Sequence, residues 1–314
     1  MSKPTLTVGF VGAGGNARHH LAGCVHSGLV RRAVLVEPGA DARARLRQRY
    51  GLIKADHAEL EPLLADDAVT VVDVCGPVAG RAEAARRALA AGRHVILDAP
   101  PARTVAELDE LAALAEAQGR LLLCALSPLH MPAHRKLHEL LRREPLPPPV
   151  LATALTVLAP DAPADDLPVA AYEAIVALQH ITGPAVGVQS ALVGEASVSA
   201  LLELADGVPA QIGVLRSPVG ERPWGERRLF TTEGLILVRD NPEDELPLIL
   251  AHGDDYAPAK VKAPPDVYEY AAVHCMEHLL DCVVSEQPEP AVWDEARAAL
   301  ATWAGVMALS GATV

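Results

Sequence analysis

The stretch LTVGFVGAGGNARHH, residues 6–20, decides the fold of this chain. Its first six residues are a short apolar run that is typical of a buried parallel strand. The run ends at Gly12-Ala13-Gly14-Gly15-Asn16-Ala17, which has the G-x-G-x-x-A spacing of a dinucleotide-binding turn. Gly12 permits the tight turn, Gly14 lets the backbone approach a pyrophosphate, and Ala17 lets the next helix pack closely. All six residues are therefore predicted to bind the pyrophosphate at the start of that helix.

An acidic residue ends the next predicted strand, Ala33-Val34-Leu35-Val36. Glu37 follows the glycines by about 20 residues, where a carboxylate accepts hydrogen bonds from the adenosine ribose hydroxyls. The same carboxylate repels a 2′-phosphate, so the sequence favours NAD over NADP. Two alternatives stay open. The first is that Glu37 is only a turn acid before Pro38-Gly39. The second is that Arg43 and Arg45 in the following helix bind a 2′-phosphate, which would allow NADP.

Strand and helix patterns alternate through the first part of the chain, and glycines end most of the helices. The strand at 69–74 runs into Cys75-Gly76-Pro77, and the strand at 94–97 leads to Asp98-Ala99-Pro100. Both turns follow the carboxyl ends of parallel strands, where open α/β sheets bind their ligands. Cys75, Gly76, Pro77, Asp98 and Pro100 are therefore added to the predicted cofactor-binding residues. The alternation predicts an N-terminal Rossmann domain with a doubly wound parallel sheet.

The second half of the chain has a different pattern. Strand-like runs recur between residues 151 and 238, and the pairs Asp206-Gly207 and Glu233-Gly234 separate alternating runs as hairpin turns do. Helical patterns cover 170–179 and 294–309. We expect an α/β protein with a Rossmann domain at 1–126 and an α+β domain with a mostly antiparallel sheet at 127–314.

Composition limits the partners and the compartment of this 314-residue chain. A formal net charge of −13 argues against nucleic acid and anionic membranes as partners. The five cysteines are scattered, without a C-x-x-C pair. No signal-type or membrane-length apolar segment is found. These features predict a cytoplasmic protein.

Two histidine patterns bear on metal binding. His130, His134 and His138 recur at helical spacing, and we interpret them as a solvated stripe on one helix face. His274 and His278 flank Cys275, which stands where an H-E-x-x-H motif has glutamate, so we interpret this segment as a packed helix. No metal site is predicted, with zinc left as the alternative in both places.

Four segments together resemble the glucose-fructose oxidoreductase / inositol dehydrogenase / rhizopine-catabolism (Gfo/Idh/MocA) family. They are the 6–20 stretch, VVDVCGP at 71–77, EAARRALAAGRHVILDAPPA at 83–102 and ATWAGVMALSGATV at 301–314. The resemblance implies an NAD(P)-dependent oxidoreductase acting on a sugar-like or other small hydroxy or carbonyl substrate. It also implies a cis peptide bond at Ala99–Pro100 and a homo-oligomer, dimer or tetramer, formed through the C-terminal sheet.

The chain departs from that family at the catalytic positions. The family's Glu-Lys-Pro is Asp98-Ala99-Pro100 here, so a methyl group stands where a lysine acts beside the nicotinamide, and a methyl group moves no proton. The family's D-x-G-x-H-x-x-D segment keeps only His180, since Val176 and Gly183 occupy acid positions. His180 is therefore the candidate catalytic acid or base, without the usual orienting carboxylates. An ordinary helix-end histidine is the alternative.

Three functional hypotheses remain open at the level of sequence. The first is the NAD-dependent oxidoreductase, with His180 moving the proton. The second is a catalytically inactive dinucleotide-binding sensor, scaffold or partner subunit, which the substitutions at Ala99, Val176 and Gly183 favour. The third is chemistry of another class with NAD bound permanently, as the resemblance to the family's glycoside-cleaving members implies. Fold alone does not decide among them.

Overall fold

The computed structural model describes residues 5–14, 16–143, 147–163, 166–217, 223–241, 246–252, 255–259, 261–262 and 264–312. The chain divides into two compact units. The first comprises residues 1–126 with 272–294, and the second comprises residues 127–271 with 295–314.

The first unit alternates strands and helices along the chain. Its elements are β1 (Leu6–Val11), α1 (Ala17–Ser27), β2 (Val30–Val36), α2 (Ala40–Arg49), β3 (Ile53–His57), α3 (Glu61–Leu64), β4 (Val71–Val74), α4 (Val78–Ala90), β5 (His94–Leu97), α5 (Val105–Ala117) and β6 (Leu122–Cys124). The strands form a parallel sheet in the order β3-β2-β1-β4-β5-β6. The order reverses between β1 and β4, and at such a switch point the carboxyl ends of the strands form a ligand crevice. The predicted Rossmann sheet is confirmed.

A segment far along the chain completes the first unit. Helix α8 (Val267–Ser285) places Met276, Leu279 and Leu280 in one buried cluster with Leu21 and Cys24 of α1. The sequence assigned residues 272–294 to the second domain, whereas the structure groups them with the first. The difference has a physical reason, because an apolar helix face in a sequence does not show which surface it will cover.

The second unit is built on an eight-stranded sheet. Its elements are α6 (Pro132–Leu141), β7 (Pro149–Leu158), α7 (Asp166–Thr182), β8 (Gly187–Val193), β9 (Ser197–Glu203), β10 (Pro209–Arg216), β11 (Trp224–Thr231), β12 (Gly234–Arg239), β13 (Leu248–His252), β14 (Asp255–Ala259) and α9 (Pro290–Ser310), which starts within the first unit. The strand order is β14-β13-β12-β11-β7-β10-β9-β8. All pairs are antiparallel except β10 with β7. The predicted mostly antiparallel sheet is confirmed.

The two faces of this sheet differ in their environment. Ala152 and Ala154 of β7 and Ile212 of β10 are buried on the inner face. On the opposite face, Leu192 of β8 and Leu201 of β9 are 69% and 42% exposed. The two sheet faces therefore differ in how much apolar surface they leave exposed to solvent.

Two strands of the sheet were not expected from the sequence. Strands β13 and β14 lie in a region rich in proline and charge, and β14 contains Pro258. Proline donates no ladder hydrogen bond and is tolerated on an edge strand, which is where β14 lies. No helix in the described part of the chain has the length and apolarity needed to cross a membrane.

Candidate functional site

The glycine-rich turn after β1 packs directly against the turn after β4. Gly12 has a φ of +99°, and a Cβ on it would lie 2.6 Å from both the Cα and the N of Gly76. A Cβ on Gly14 would lie 3.3 Å from the Cys75 carbonyl oxygen, and Ala17 is fully buried. The glycine at position 12 is thus required both by its φ and by the space between the two turns. Gly15, also predicted to bind the cofactor, lies outside the described residues.

Glu37, at the carboxyl end of β2, reaches back to the glycine-rich turn. Its Oε2 accepts a hydrogen bond of 3.0 Å from the Ala13 N–H, and its Oε1 accepts one of 2.9 Å from the Gly39 N–H. Glu37 therefore accepts hydrogen bonds both within its own turn and from the glycine-rich turn. Each carboxylate oxygen has a second lone pair, so capacity remains for ribose hydroxyls.

The arginines considered as 2′-phosphate ligands differ in their surroundings. Arg43 donates to the backbone oxygens of Glu37 and Pro38, and its Nε lies 3.4 Å from Asp56 Oδ1. Arg45 is exposed. Because Arg43 is already bound to oxygens of this chain, it is a poor partner for a further phosphate.

Asp98 connects the glycine-rich turn to the end of β5. Its Oδ1 accepts hydrogen bonds from Asn16 Nδ2 at 3.0 Å and from the Ala99 N–H at 2.8 Å. The Asn16 side chain makes no cap bond to α1, and its amide nitrogen donates to Asp98. The structure therefore brings Asn16 and Asp98, two predicted cofactor residues, into direct contact.

Arg81 joins the turns that follow β4 and β5. Its buried guanidinium donates to the carbonyl oxygens of Gly76, Asp98 and Pro100. The Ala99–Pro100 peptide bond is cis, as the family resemblance implied. Ala99 itself is buried. The guanidinium of Arg81 is held by these backbone oxygens and lies 3.4 Å from the Asp98 carboxylate, so it is not a mobile proton carrier.

A buried polar cluster lies behind these turns, on the α1 side. His20 Nδ1 is 2.9 Å from Asp73 Oδ2 and 3.4 Å from Cys75 Sγ, and His20 Nε2 is 3.9 Å from Asp98 Oδ1. Burial lowers the pKa of His20, but the charge and hydrogen bond of Asp73 outweigh it and raise that pKa to about 9. Burial and the same carboxylate raise the pKa of Cys75 well above its ordinary value, so Cys75 remains a thiol.

The sequence analysis did not predict the buried contact between His20 and Asp73, although one feature of the sequence pointed to it. Asp73 is a charged residue inside an apolar strand run, and such residues are almost never fully buried without a partner. A buried basic residue was therefore to be expected opposite it.

His180 lies in the last turn of α7, and its surroundings correct one expectation. Its Nδ1 is 3.1 Å and 3.0 Å from the two carboxylate oxygens of Glu295. Its ring stacks on His138, with centroids 4.8 Å apart and planes 20° from parallel. The prediction that His180 lacks an orienting carboxylate is wrong, because α9 supplies one from 115 residues further along the chain.

The interpretation of His130, His134 and His138 as a solvated stripe is also wrong. His134 is fully buried, with Nε2 3.3 Å from Asp240 Oδ1, because this face of α6 packs onto the sheet. Burial, and then Arg227 and His180, lower the pKa of His134 well below its ordinary value. Its imidazole is therefore neutral.

A second polar group on α7, two turns before His180, was not anticipated. Glu173 interacts electrostatically with Arg227 and Tyr268, both largely buried. The Tyr268 hydroxyl has no hydrogen-bond partner among the described residues. Burial, opposed by Arg227 and reinforced by Glu173, raises the pKa of Tyr268 to about 12.

The geometry of the first unit is that of a dinucleotide-binding Rossmann domain, and comparison with known proteins agrees. Residues 6–126 match the Gfo/Idh/MocA family model, described as "Oxidoreductase family, NAD-binding Rossmann fold". The resemblance to the Gfo/Idh/MocA family inferred from the sequence is therefore confirmed over the Rossmann region. No curated protein matches by sequence.

Several solved structures share the fold over nearly the whole chain. GenD2 from gentamicin A biosynthesis, in complex with NAD, is 22% identical with a TM-score of 0.81, covering 98% of this chain and 95% of its own. Levoglucosan dehydrogenase in complex with NADH is 16% identical with a TM-score of 0.82, covering 98% and 97%. Biliverdin reductase from Synechocystis sp. PCC 6803, with biliverdin and NADP+, is 19% identical with a TM-score of 0.79, covering 98% and 99%. At these identities the likeness establishes the fold alone.

Proposed function

We propose that this protein is an NAD-dependent oxidoreductase acting on a small hydroxy or carbonyl substrate of sugar-like type. The observation that carries the proposal is the fit between the glycine-rich turn, the Gly76 turn and the Glu37 carboxylate. A side chain at Gly12 would fill the turn, and Glu37 lies against the Ala13 N–H. Gly12, Gly14, Asn16 and Ala17 would hold the pyrophosphate, and Glu37 the ribose.

The residues at the ends of β4 and β5 would hold the remainder of the cofactor. Cys75, Gly76 and Pro77 form one turn, and Asp98 with Pro100 the other, fixed together by Arg81. NAD, when bound, supplies a hydride acceptor at its nicotinamide ring. The preference for NAD over NADP follows from the Glu37 charge and from the engagement of Arg43 by carbonyl oxygens and Asp56.

His180 is the proposed acid–base residue. In alcohol oxidation its Nε2 accepts the proton of the substrate hydroxyl, while Glu295 holds Nδ1 and stabilises the imidazolium that forms. Placement of such a base by a carboxylate is the same physical device that orients catalytic histidines elsewhere. Glu173, beside Arg227 and Tyr268, is the alternative carrier of this proton.

A second candidate function is dinucleotide binding without turnover, as a sensor, scaffold or partner subunit. The observation that favours it is the buried methyl group of Ala99 where the family has lysine. Loss of one acid–base group costs typically about 10²–10⁴-fold in rate, which slows hydride transfer without forbidding it.

One experiment separates the two functions. Purified protein is incubated with NAD and a panel of polyols, sugars and sugar acids, and NADH formation is followed by absorbance. We expect turnover to fall by about 10²-fold or more in His180→Ala. The decrease in Glu295→Gln should be smaller. Turnover that is unchanged in His180→Ala but lost in Glu173→Gln would assign the proton to Glu173. Tight NAD binding with no turnover on any substrate would favour the binding function.

We further propose that the chain forms a homo-oligomer, a dimer or tetramer, through the exposed face of the second unit's sheet. The apolar side chains Leu192 and Leu201 on that face support this. All five cysteines are free thiols, which suits the reducing cytoplasm, and we propose that compartment.

A further inference from the structure

Helix α8 and the segment after it bring three metal-binding side chains together in the first unit. His278 and Cys282 stand four residues apart on α8, so they lie on one helix face. Glu289 reaches them from the segment before α9. The imidazole Nε2, the thiol Sγ and a carboxylate oxygen all lie within 4.8 Å of one another. We propose that His278, Cys282 and Glu289 form a Zn²⁺ site that no part of the proposed oxidoreductase function requires.

The chemistry of these ligands is the first support. Zn²⁺ in proteins takes thiolate sulfur, imidazole nitrogen and carboxylate oxygen, in tetrahedral geometry. Hard cations such as Mg²⁺ and Ca²⁺ prefer sites made only of oxygen ligands. A mixed nitrogen, sulfur and oxygen set therefore selects zinc, with a fourth position open to water.

The distances are the second support. Cys282 Sγ lies 3.8 Å from His278 Nε2, and tetrahedral zinc with bonds of about 2.0 to 2.3 Å separates such ligand atoms by roughly 3.6 Å. Glu289 Oε2 lies 2.7 Å from the same nitrogen. It has to withdraw by roughly 0.7 Å to make room for the ion, which rotation of a partly exposed glutamate side chain permits.

The local environment is the third support. Glu289 Oε2 has almost no solvent exposure, and its 2.7 Å ion-pair contact with His278 Nε2 lacks the geometry of a hydrogen bond. His278 is 41% exposed, which gives the ion a route in from solvent.

A second cluster with suitable side chains, found among the residues that the structure describes, is a weaker candidate. His20, Asp73 and Cys75 are also within 4.8 Å of one another. They are fully buried and already bonded to one another, so an ion would have no route of entry and would have to break that network.

The function of the site is structural. Zn²⁺ there would tie the end of α8 to the segment leading into α9, after release of the proton from the Cys282 thiol and, where His278 is protonated, of its imidazolium proton. Binding to the folded state alone raises thermal stability by mass action.

The test is titration of chelator-treated full-length protein with Co²⁺ and with Zn²⁺. We expect one equivalent of Co²⁺ to give a thiolate-to-cobalt charge-transfer band, which one equivalent of Zn²⁺ removes. The band should vanish in Cys282→Ala and persist in Cys275→Ala, a buried cysteine of the same helix. Glu289→Gln should weaken Zn²⁺ binding by at least about tenfold, whereas Glu286→Gln, in the same segment, should not.

Two results would overturn the proposal. One is absence of the charge-transfer band in folded wild-type protein at excess Co²⁺. The other is a band that survives in Cys282→Ala, which would place the ion at another thiol. If Cys282→Ala does not fold, unchanged Zn²⁺ affinity in Glu289→Gln overturns the proposal equally.

Discussion

Gly12 meets two demands that no other residue type satisfies together. Its φ of +99° lies where side chains are strained, and its missing Cβ leaves room for the backbone of Gly76. The sequence motif predicted the first demand. The second depends on a turn 64 positions further along the chain, and only the folded sheet shows it.

The glycine can be tested against a matched position. Gly28, at the end of α1, has a φ of +64°, and a Cβ on it would meet no other atom within 4 Å. Gly28→Ala should therefore lose only the backbone contribution of about 1 kcal/mol or more. Gly12→Ala adds the overlap with Gly76, so it should destabilise more, and it should weaken NAD binding at least tenfold, or by about 1.4 kcal/mol. Thermal unfolding and NAD titration of both variants measure this. Equal effects of the two variants would contradict the packing argument.

At the scale of elements, α1 is fixed to the sheet by a buried charged pair as well as by apolar packing. His20 of α1 contacts Asp73 of β4, while Leu21 and Cys24 share a buried cluster with α8. The pattern of apolar residues was sufficient to predict α1 and most strands of the parallel sheet. It was not sufficient for the pairing of His20 with Asp73, or of His180 with Glu295, because sequence spacing does not show which side chains meet across elements.

The His20–Asp73 pair predicts a specific dependence of stability on pH. The pKa of His20 is about 9 in the folded chain, against 6.5 for an unperturbed histidine. The pair's contribution is therefore complete below about pH 6.5 and is lost as the pH rises through about 9. Its size is on the order of 3 kcal/mol.

The free energy of unfolding of the wild type and of His20→Gln, measured from about pH 6 to about pH 10, tests this pH dependence. The wild type should lose more stability toward the alkaline end than the variant does. His26→Gln is the control, since the His26 side chain is 65% exposed. This variant should show the same dependence of stability on pH as the wild type. A wild-type slope that His20→Gln leaves unchanged would contradict the role of the buried pair.

At the scale of the whole molecule, the chain combines a Rossmann unit and a unit built on a mostly antiparallel sheet, and segment 272–294 returns to the first. Alternating patterns predicted both sheets. They did not predict β13 and β14, where proline and charge mask the strand pattern, or the return of 272–294. The family resemblance suggested from the sequence that Ala99 stands at the position of the family's lysine. The surroundings of Ala99, including the commitment of Arg81 to carbonyl oxygens, required the structure.

The exposed sheet face predicts an assembly that can be broken. Leu192→Glu with Leu201→Glu places two charges on that face and should convert the oligomer to monomer. Val25→Glu is the control, because Val25 is 56% exposed on α1 and lies outside the sheet. Sedimentation velocity of the three proteins checks this. A wild-type chain that is monomeric at micromolar concentration would contradict the proposed interface.

Calorimetric titration with NAD and NADP tests whether the Gly12–Ala17 turn and Glu37 bind NAD. Wild-type protein should bind one NAD per chain and bind NADP more weakly. Glu37→Gln removes the charge that repels a 2′-phosphate, so it should reduce the difference in affinity between NAD and NADP. Asp41→Asn, in α2, should leave that difference unchanged. Failure of the wild type to bind either dinucleotide, or tighter binding of NADP than of NAD, would contradict the assignment of this turn and Glu37 to NAD.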